Sequence, residues 1–155
     1  MKIECERSIL KMSDKLELTY PSGLITKTKI NDGEFTILTD YEEERGGYNI
    51  SYSPWKVFLT AVLSCQGVNL AKYCREYNID YSEVTVNLES HVEDIRHEEF
   101  PEYHLKVTVP DSFPKDHIEP MVNSFMDCPV INHLTDLKPV MKTFVNDELI
   151  GEKRR

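Results

Sequence analysis

The sequence lacks the features that mark several large classes of protein. No apolar run is long enough to span a membrane, and residues 1–7 contain no signal-peptide core. Basic residues are in the minority, with 18 Lys and Arg against 27 Asp and Glu, so that the net charge is −9 and the pI near 5.0. Such an acidic chain is repelled by nucleic acid and by anionic lipid. We therefore expect a cytoplasmic protein whose partners include neither nucleic acid nor a membrane.

Sequence motifs for common cofactors are also missing. The chain has no phosphate-binding loop, no dinucleotide fingerprint and no GxSxG motif. Its five histidines lack metal-ligand spacing such as HxxxH. Three of them, His91, His97 and His104, fall in or near one predicted hairpin and could meet on one face, although separate surface imidazoles are the commoner arrangement. The sequence therefore predicts no metal site.

The four cysteines are scattered along the chain. Cys5, Cys65, Cys74 and Cys128 show no CxxC spacing, and in a reducing compartment they do not predict a structural disulfide framework. Cys65 and Cys74 are nine positions apart on one predicted helix, which places them on opposite faces. These two cannot bridge each other within a subunit.

Length and composition are those of an ordinary globular protein. The 155 residues are 40% hydrophobic and 29% charged, which is enough to bury a core. No repeat, linker or low-complexity segment divides them. We expect a single domain over residues 1–155.

A long central helix is predicted from Ser53 onwards. Ser53 can cap it, Pro54 suits its first position, and Asn78 can end it in a left-handed conformation. Its first half is apolar on every side, through Val57, Phe58, Leu59, Ala61, Val62 and Leu63. That pattern is typical of a helix surrounded by protein. Gly67, inside the helix, predicts that another backbone or a ligand passes close by.

Short strands and helices are predicted on both sides of this helix. The strands cover residues 15–20, 24–30, 34–39, 84–92, 103–109 and 140–145, with an Asn-Asp-Gly turn at 31–33. A capping box at Asp116 opens a helix to about residue 126, and a short helix over residues 130–134 follows, with Pro129 at its first position. Because the strands fall in antiparallel groups, the fold class is α+β, with two small antiparallel sheets around a long buried central helix. Apolar surface left uncovered by these elements would favour a dimer.

Cys65 and Cys128 each have two interpretations. Cys65 can be a reactive thiol, but a cysteine inside an apolar helix is more often a small core residue, and a thiolate there would need a nearby cation. Cys128 lies at or near a helix N-cap, where free N–H groups favour an anionic sulfur. The alternative is that Cys128 and Pro129 form only a corner between two helices.

The order of these motifs resembles one known family. The resemblance is carried by Ser53-Pro54, the apolar helix ending in Leu63-Ser64-Cys65, the strand pair, and Asp127-Cys128-Pro129-Val130. These features are similar to the OsmC/Ohr family of thiol-dependent hydroperoxide reductases, over about residues 15–147. The resemblance implies an intertwined homodimer, with long central helices packed together and active sites at the subunit interface.

The resemblance also implies roles for particular residues. Cys65 falls at the peroxidatic position, Cys128 at the resolving position, and Arg45, twenty positions before Cys65, at the position of an arginine that pairs with the thiolate. The implied substrate is an organic hydroperoxide, the implied reductant is a dithiol of lipoyl type or another thiol, and no metal or organic cofactor is needed. An apolar substrate pocket is expected around Trp55, Phe58 and Val62.

One family residue is replaced. Peroxidases of the family usually follow the motif proline with a glutamate that orients the arginine, and this chain has Trp55 there. The acidic run over residues 42–44 could supply a substitute carboxylate. The tryptophan also leaves open a second function, a non-catalytic stress protein that binds a small apolar ligand, or a cysteine redox sensor that is oxidised once. Turnover with a dithiol separates an enzyme from either alternative.

Overall fold

The computed structural model describes residues 16–30, 35–91, 102–135 and 140–154. The chain divides into two compact units, Met1–Val57 and Phe58–Arg155. The single domain expected over residues 1–155 stays a prediction. Three sequence features lie outside the described residues: Cys5, the turn at 31–33 and most of the acidic loop at 93–102.

The first unit contains a three-stranded antiparallel meander. Strands β1 (Leu16–Ser22), β2 (Ile25–Ile30) and β3 (Phe35–Thr39) pair in the order β1-β2-β3, as the sequence predicts. The outer strands leave large apolar side chains exposed in the single chain, namely Leu16, Leu18, Tyr20, Phe35, Ile37 and Leu38. The meander therefore buries little of its own apolar surface.

The long helix α1 covers Pro54–Glu76 and confirms the predicted central helix. It ends as expected, because Asn78 adopts a left-handed φ of 55° and the Cys74 carbonyl accepts a hydrogen bond from the Ile79 N–H at 2.8 Å. Burial along α1 is confined to one stripe at four-residue spacing, formed by Val62, Gln66, Leu70 and Cys74. The apolar residues on the other sides are left partly or largely uncovered in the single chain, where all-round burial was expected.

The exposed side of α1 includes Gly67 and Val68. Val68 is 52% exposed, and a Cβ added at Gly67 would meet nothing within 4 Å among the described residues. The expected close approach to Gly67 is therefore absent from this chain's own described structure. The glycine faces open space.

The second unit continues with two hairpins and two short helices. Strands β4 (Thr85–His91) and β5 (Glu102–Thr108) pair antiparallel over their full length, and α2 (Ile118–Ser124) and α3 (Pro129–Thr135) follow. The chain ends in a hairpin of β6 (Val140–Val145) and β7 (Glu148–Arg154). The core of this unit is formed by Leu70, Cys74, Phe113, Met121 and Phe125, with Val84, Val86, Leu105 and Val107 packed against it.

Two details of the prediction are corrected. The described strands form three sheets where two were expected, because β7 was missed and pairs with β6 alone. The predicted capping box at Asp116 is also wrong, since α2 begins at Ile118 after a 3-10 turn and its N-cap makes no side-chain hydrogen bond. The α+β class itself is confirmed. No helix in the described ranges combines the length and the apolar character needed to cross a membrane.

Candidate redox site

A disulfide joins Cys65 and Cys128 in the second unit. Their Cα atoms are 6.4 Å apart, within the range that a disulfide bridges without backbone movement. The two residues are 63 positions apart in the chain. The structure thus brings together the two cysteines that the family resemblance selects, and it does not pair either of them with Cys74.

Local sequence positions Cys128 at the start of α3. Its backbone is extended, with φ of −69° and ψ of 121°, and its N–H donates to the Phe125 carbonyl at 3.1 Å. Its own carbonyl accepts the N–H of Asn132 at 3.0 Å, so that Cys128 is the N-cap residue of α3 and Pro129 takes the first helical position. The predicted N-cap is confirmed, and the side chain of Cys128 is fully buried there.

Packing between α1 and α2 holds the two cysteines in place. The side-chain amide of Asn69 donates to the Ser124 carbonyl at 3.5 Å, one turn along α1 from Cys65. Leu70 joins the same core as Met121 and Phe125, and Phe125 begins the 3-10 turn that leads into Cys128. The middle of α1 is therefore fixed against the chain segment that carries the second cysteine.

Gln66, next to Cys65 in the chain, is a buried polar residue near the disulfide that the sequence motifs did not identify. Its side chain is completely buried, and neither amide atom has a hydrogen-bond partner among the described residues. A buried amide without partners is costly, so it stands out in a stripe otherwise formed by Val62, Leu70 and Cys74. The sequence signal was present, because Gln66 occupies the polar position of an apolar repeat spaced by four.

Cys74 does not bridge Cys65, as the sequence predicts. It is a free cysteine, completely buried in the core of the second unit, and burial raises the pKa of its thiol. A raised pKa keeps the sulfur protonated and unreactive at neutral pH. Cys74 is therefore a core residue.

The predicted pocket residues lie at the start of α1. Phe58, Val62 and Cys65 are spaced by four and three positions and so share one side of the helix. Val62 is buried, whereas Trp55 and Phe58 are half-buried. A substrate pocket formed by these three apolar residues remains a prediction.

Arg45 belongs to the first unit, in the loop before α1. It ends a 3-10 turn, Glu43–Arg45, and its side chain is 67% exposed. Glu42 lies between two cations, with its carboxylate 3.9 Å from the Arg45 Nε and 3.7 Å from the Lys56 Nζ. A carboxylate from the acidic run thus lies within ion-pair distance of Arg45, and its substitution for the family glutamate stays a prediction.

The shape of this loop depends on Asp40 and two glycines. The buried Asp40 carboxylate accepts the backbone N–H groups of Tyr48 at 3.0 Å and Ile50 at 3.2 Å. Burial opposes ionisation of Asp40, but backbone N–H donors outweigh it and hold the pKa of this carboxyl below its ordinary value. Gly46 has a left-handed φ of +83°, and a Cβ at Gly47 would collide with the carbonyl group of Tyr41.

Comparison with known proteins gives a clear result for structure only. No protein-family model matches the sequence, and no curated protein matches it. A solved structure of an osmotic stress induced and detoxification response protein from Psychrobacter arcticus 273-4 is similar, with a TM-score of 0.64 and 19% identity over 81% of this chain and 90% of that one. An OsmC-like protein from Mycoplasma pneumoniae has a TM-score of 0.58 and 14% identity, over 82% of this chain and 89% of the other.

A third similar structure bears directly on the family. It is an organic hydroperoxide resistance protein OsmC from Legionella pneumophila, with a TM-score of 0.56 and 15% identity over 81% of this chain and 91% of the other. At such low identity the likeness concerns the fold, which the family resemblance had implied. The chain has the fold of the OsmC and Ohr proteins.

Proposed function

We propose that this protein is a thiol-dependent reductase of organic hydroperoxides, with Cys65 as the peroxidatic and Cys128 as the resolving cysteine. The observation that carries the proposal is the disulfide between these two residues. The fold supports it, because structures with the same fold include a protein described as an organic hydroperoxide resistance protein. We also propose that the protein belongs to the OsmC/Ohr family.

The first step is an attack of the Cys65 thiolate on one oxygen of the hydroperoxide. An S–O bond forms, the O–O bond breaks, and the departing alkoxide takes up a proton to leave as an alcohol. The sulfur is oxidised by two electrons to a sulfenic acid while the peroxide is reduced. Cys65 is half-buried, whereas Cys74 is fully buried and has a raised pKa, so Cys65 is the better nucleophile of the two.

The second step forms the bond that the structure contains. The Cys128 sulfur attacks the sulfenic sulfur of Cys65, an S–S bond forms, the S–O bond breaks, and hydroxide leaves as water with the thiol proton. An external dithiol, of the lipoyl type that the resemblance implies, then reduces the bridge and is itself oxidised to a disulfide. The two cysteines return as thiols, and the cycle closes.

Arg45 is proposed to assist the first step. A guanidinium beside a thiol lowers the thiol pKa and stabilises charge on the leaving oxygen. The Glu42 carboxylate contacts Arg45 and takes the part that the family gives to the glutamate replaced here by Trp55. Phe58 and Val62, on the same side of α1 as Cys65, would favour an organic peroxide over hydrogen peroxide.

The test is cysteine mapping by mass spectrometry after one equivalent of cumene hydroperoxide is added to the reduced protein. The wild type should form the Cys65–Cys128 disulfide, and Cys128→Ser should trap a sulfenic acid at Cys65. Cys65→Ser should leave Cys128 reduced, and Cys74→Ser should behave as the wild type, which makes it the matched control. Oxidation of Cys74 or Cys128 ahead of Cys65 would overturn the assigned roles.

Turnover separates the enzyme from its alternatives. With an excess of a lipoyl-type dithiol, the reductase should consume many equivalents of cumene hydroperoxide per chain. A redox sensor consumes one equivalent and stops, and a protein that only binds a ligand consumes none. Either of these results would replace the reductase proposal.

The role of Arg45 has its own variant. Arg45→Met should slow the peroxide step by about tenfold or more, because each unit by which the thiol pKa rises costs about 1.4 kcal/mol of thiolate stabilisation. Arg75→Met, in the last turn of α1, is the matched control and should leave the rate unchanged. Equal rates for wild type and Arg45→Met would remove the arginine from the mechanism. Glu42→Gln should slow the same step if Glu42 orients Arg45.

A further inference from the structure

The outer face of the β4–β5 hairpin carries a cluster of metal-ligating side chains. Glu89 lies directly opposite His104, and His91 lies directly opposite Glu102, with one pair, Ser90 and Tyr103, between them in the antiparallel register. Because side chains two apart on a strand share a face, all four point to the same side of the hairpin. Two imidazoles and two carboxylates are thereby gathered on one patch of surface.

Distances within this patch are short. One ligand atom from each of Glu89, His91 and His104 lies within 4.8 Å of the others. The centroids of the two imidazole rings are 4.1 Å apart, and the Glu89 carboxylate is 3.5 Å from the His91 Nε2. Glu102 is 3.0 Å from the His104 Nε2 and so lies at the edge of the same group.

The β4–β5 hairpin holds the backbone of these four residues in a fixed position. Its other face packs on the core of the second unit through Val86, Leu105 and Val107, which alternate with the polar residues along the strands. The backbone positions of the four side chains are therefore fixed by packing and by the strand pairing. The side chains themselves are in solvent, or nearly so, and can rotate.

We propose that Glu89, His91 and His104 bind a divalent transition-metal ion, zinc above others, with Glu102 available as a fourth ligand. Two imidazoles with carboxylate oxygen form a ligand set that suits zinc, copper or nickel. Ligand atoms on a tetrahedral zinc ion lie about 3.3 Å apart, given bonds of about 2.0–2.1 Å. The ligand atoms of the three side chains, now within 4.8 Å of one another, must therefore move closer by about 1.5 Å at most. Rotation of exposed side chains on a fixed hairpin covers that distance.

Lys106 competes with the metal ion for the Glu89 carboxylate. Its Nζ lies 2.6 Å from the Glu89 carboxylate, on the same face of the hairpin. In the metal-free protein this ammonium group neutralises Glu89, and an incoming cation has to displace it. Removal of the lysine should therefore strengthen metal binding, an effect opposite to that of removing a ligand.

The experiment titrates zinc chloride into the full-length, oxidised protein, whose Cys65 and Cys128 are held in their disulfide and cannot bind the ion. Isothermal calorimetry should show one site per chain that His91→Ala/His104→Ala abolishes. Glu89→Gln should weaken binding by about tenfold or more, and Lys106→Gln should tighten it several-fold. His133→Ala, which removes an exposed histidine from α3, is the matched control and should change nothing.

Three results would overturn the proposal. One is no binding by the wild type with zinc at micromolar to millimolar concentrations. Another is equal binding by the wild type and the double histidine variant, which would place the ion elsewhere. The third is wild-type affinity in Glu89→Gln together with no tighter binding by Lys106→Gln, which would remove Glu89 from the ligand set. Because misfolding cannot tighten binding, the lysine variant keeps the test decisive.

Discussion

At the scale of single residues, Gln66 is a buried polar side chain in an unfavourable environment. It is buried beside the disulfide, and the structure supplies no partner for its amide among the described residues. An unpaired buried polar group costs about 1–3 kcal/mol, a large share of the stability of an ordinary domain. A residue of similar length without polar atoms should fit the same space at lower cost.

Gln66→Met should therefore stabilise the oxidised protein, raising the free energy of unfolding by about 1–3 kcal/mol in urea titrations. Arg75→Met is the control for placing methionine on the same helix, and because its side chain is exposed it should have little effect. A loss of stability in Gln66→Met would mean that the amide has a partner in solution. That partner would then have to come from outside the described chain.

The cysteine pair shows what residue-level prediction could and could not reach. Cys74 was separated from Cys65 by helical periodicity alone, which is a local property of the sequence. The pairing of Cys65 with Cys128 depends on how α1 packs against α2, through contacts far apart in sequence such as that between Asn69 and Ser124. Only the family resemblance could select that pair.

At the scale of elements, the loop between β3 and α1 is organised by one carboxylate. Asp40 accepts the N–H groups of Tyr48 and Ile50 and so fixes the segment that carries Arg45. Its pKa is lowered in the folded protein, which means that folding favours the ionised form. The stabilisation is fully present above the ordinary pKa of 3.8 and is lost as the pH falls from there through the folded value.

Asp40→Asn should accordingly destabilise the protein at pH 7 and less so below about pH 3.8. Urea unfolding of wild type and variant at pH 7 and pH 3 measures this difference. Glu43→Gln, an exposed carboxyl in the same loop, is the control and should not show the pattern. A constant difference between wild type and Asp40→Asn at both pH values would contradict the assigned role of the charge.

Elements were predicted well where their signals are local. Pro54 and Asn78 bound α1, and Pro129 begins α3, because these residues act on their own backbone. Strand β7 was missed because its residues carry charges and its partner had to be known first. Its signal was the turn at Asn146 and Asp147, whose φ angles of 47° and 67° are both left-handed.

The sequence allowed His91 and His104 to meet on one face of the hairpin but favoured separate surface imidazoles, for a related reason. His91 and His104 form no motif in the sequence, since they lie on different strands. Their proximity follows from the register of β4 against β5, in which each faces a glutamate. A shift of one residue in that register would have sent one histidine to the core face.

At the scale of the whole molecule, the single chain leaves much apolar surface uncovered. The meander exposes apolar side chains on β1 and β3, and α1 buries only one stripe. Exposed apolar surface on this scale is typical of a protein that associates with a partner. We therefore keep the prediction of an intertwined homodimer in which residues 57–73 of α1 lie at or near the interface.

Sedimentation velocity at micromolar concentration should give the mass of a dimer, twice the 18.1 kDa of one chain. Val68→Glu should shift the protein toward monomer, because it places a charge on the uncovered side of α1. Ser112→Glu adds the same charge at an exposed position outside α1 and serves as the control. A stable wild-type monomer would exclude the dimer.

The open space beside Gly67 allows a substitution there to test whether this side of α1 is exposed to water or packed against another helix. Gly67→Ala removes backbone freedom from the unfolded chain and favours the helix by roughly 0.8–1 kcal/mol, provided that water surrounds the new methyl group. Against a second helix at close range, the same methyl group would push the two backbones apart and weaken the protein. The sign of the change in melting temperature on Gly67→Ala therefore tells whether this side of α1 faces water or packs against a second helix in solution.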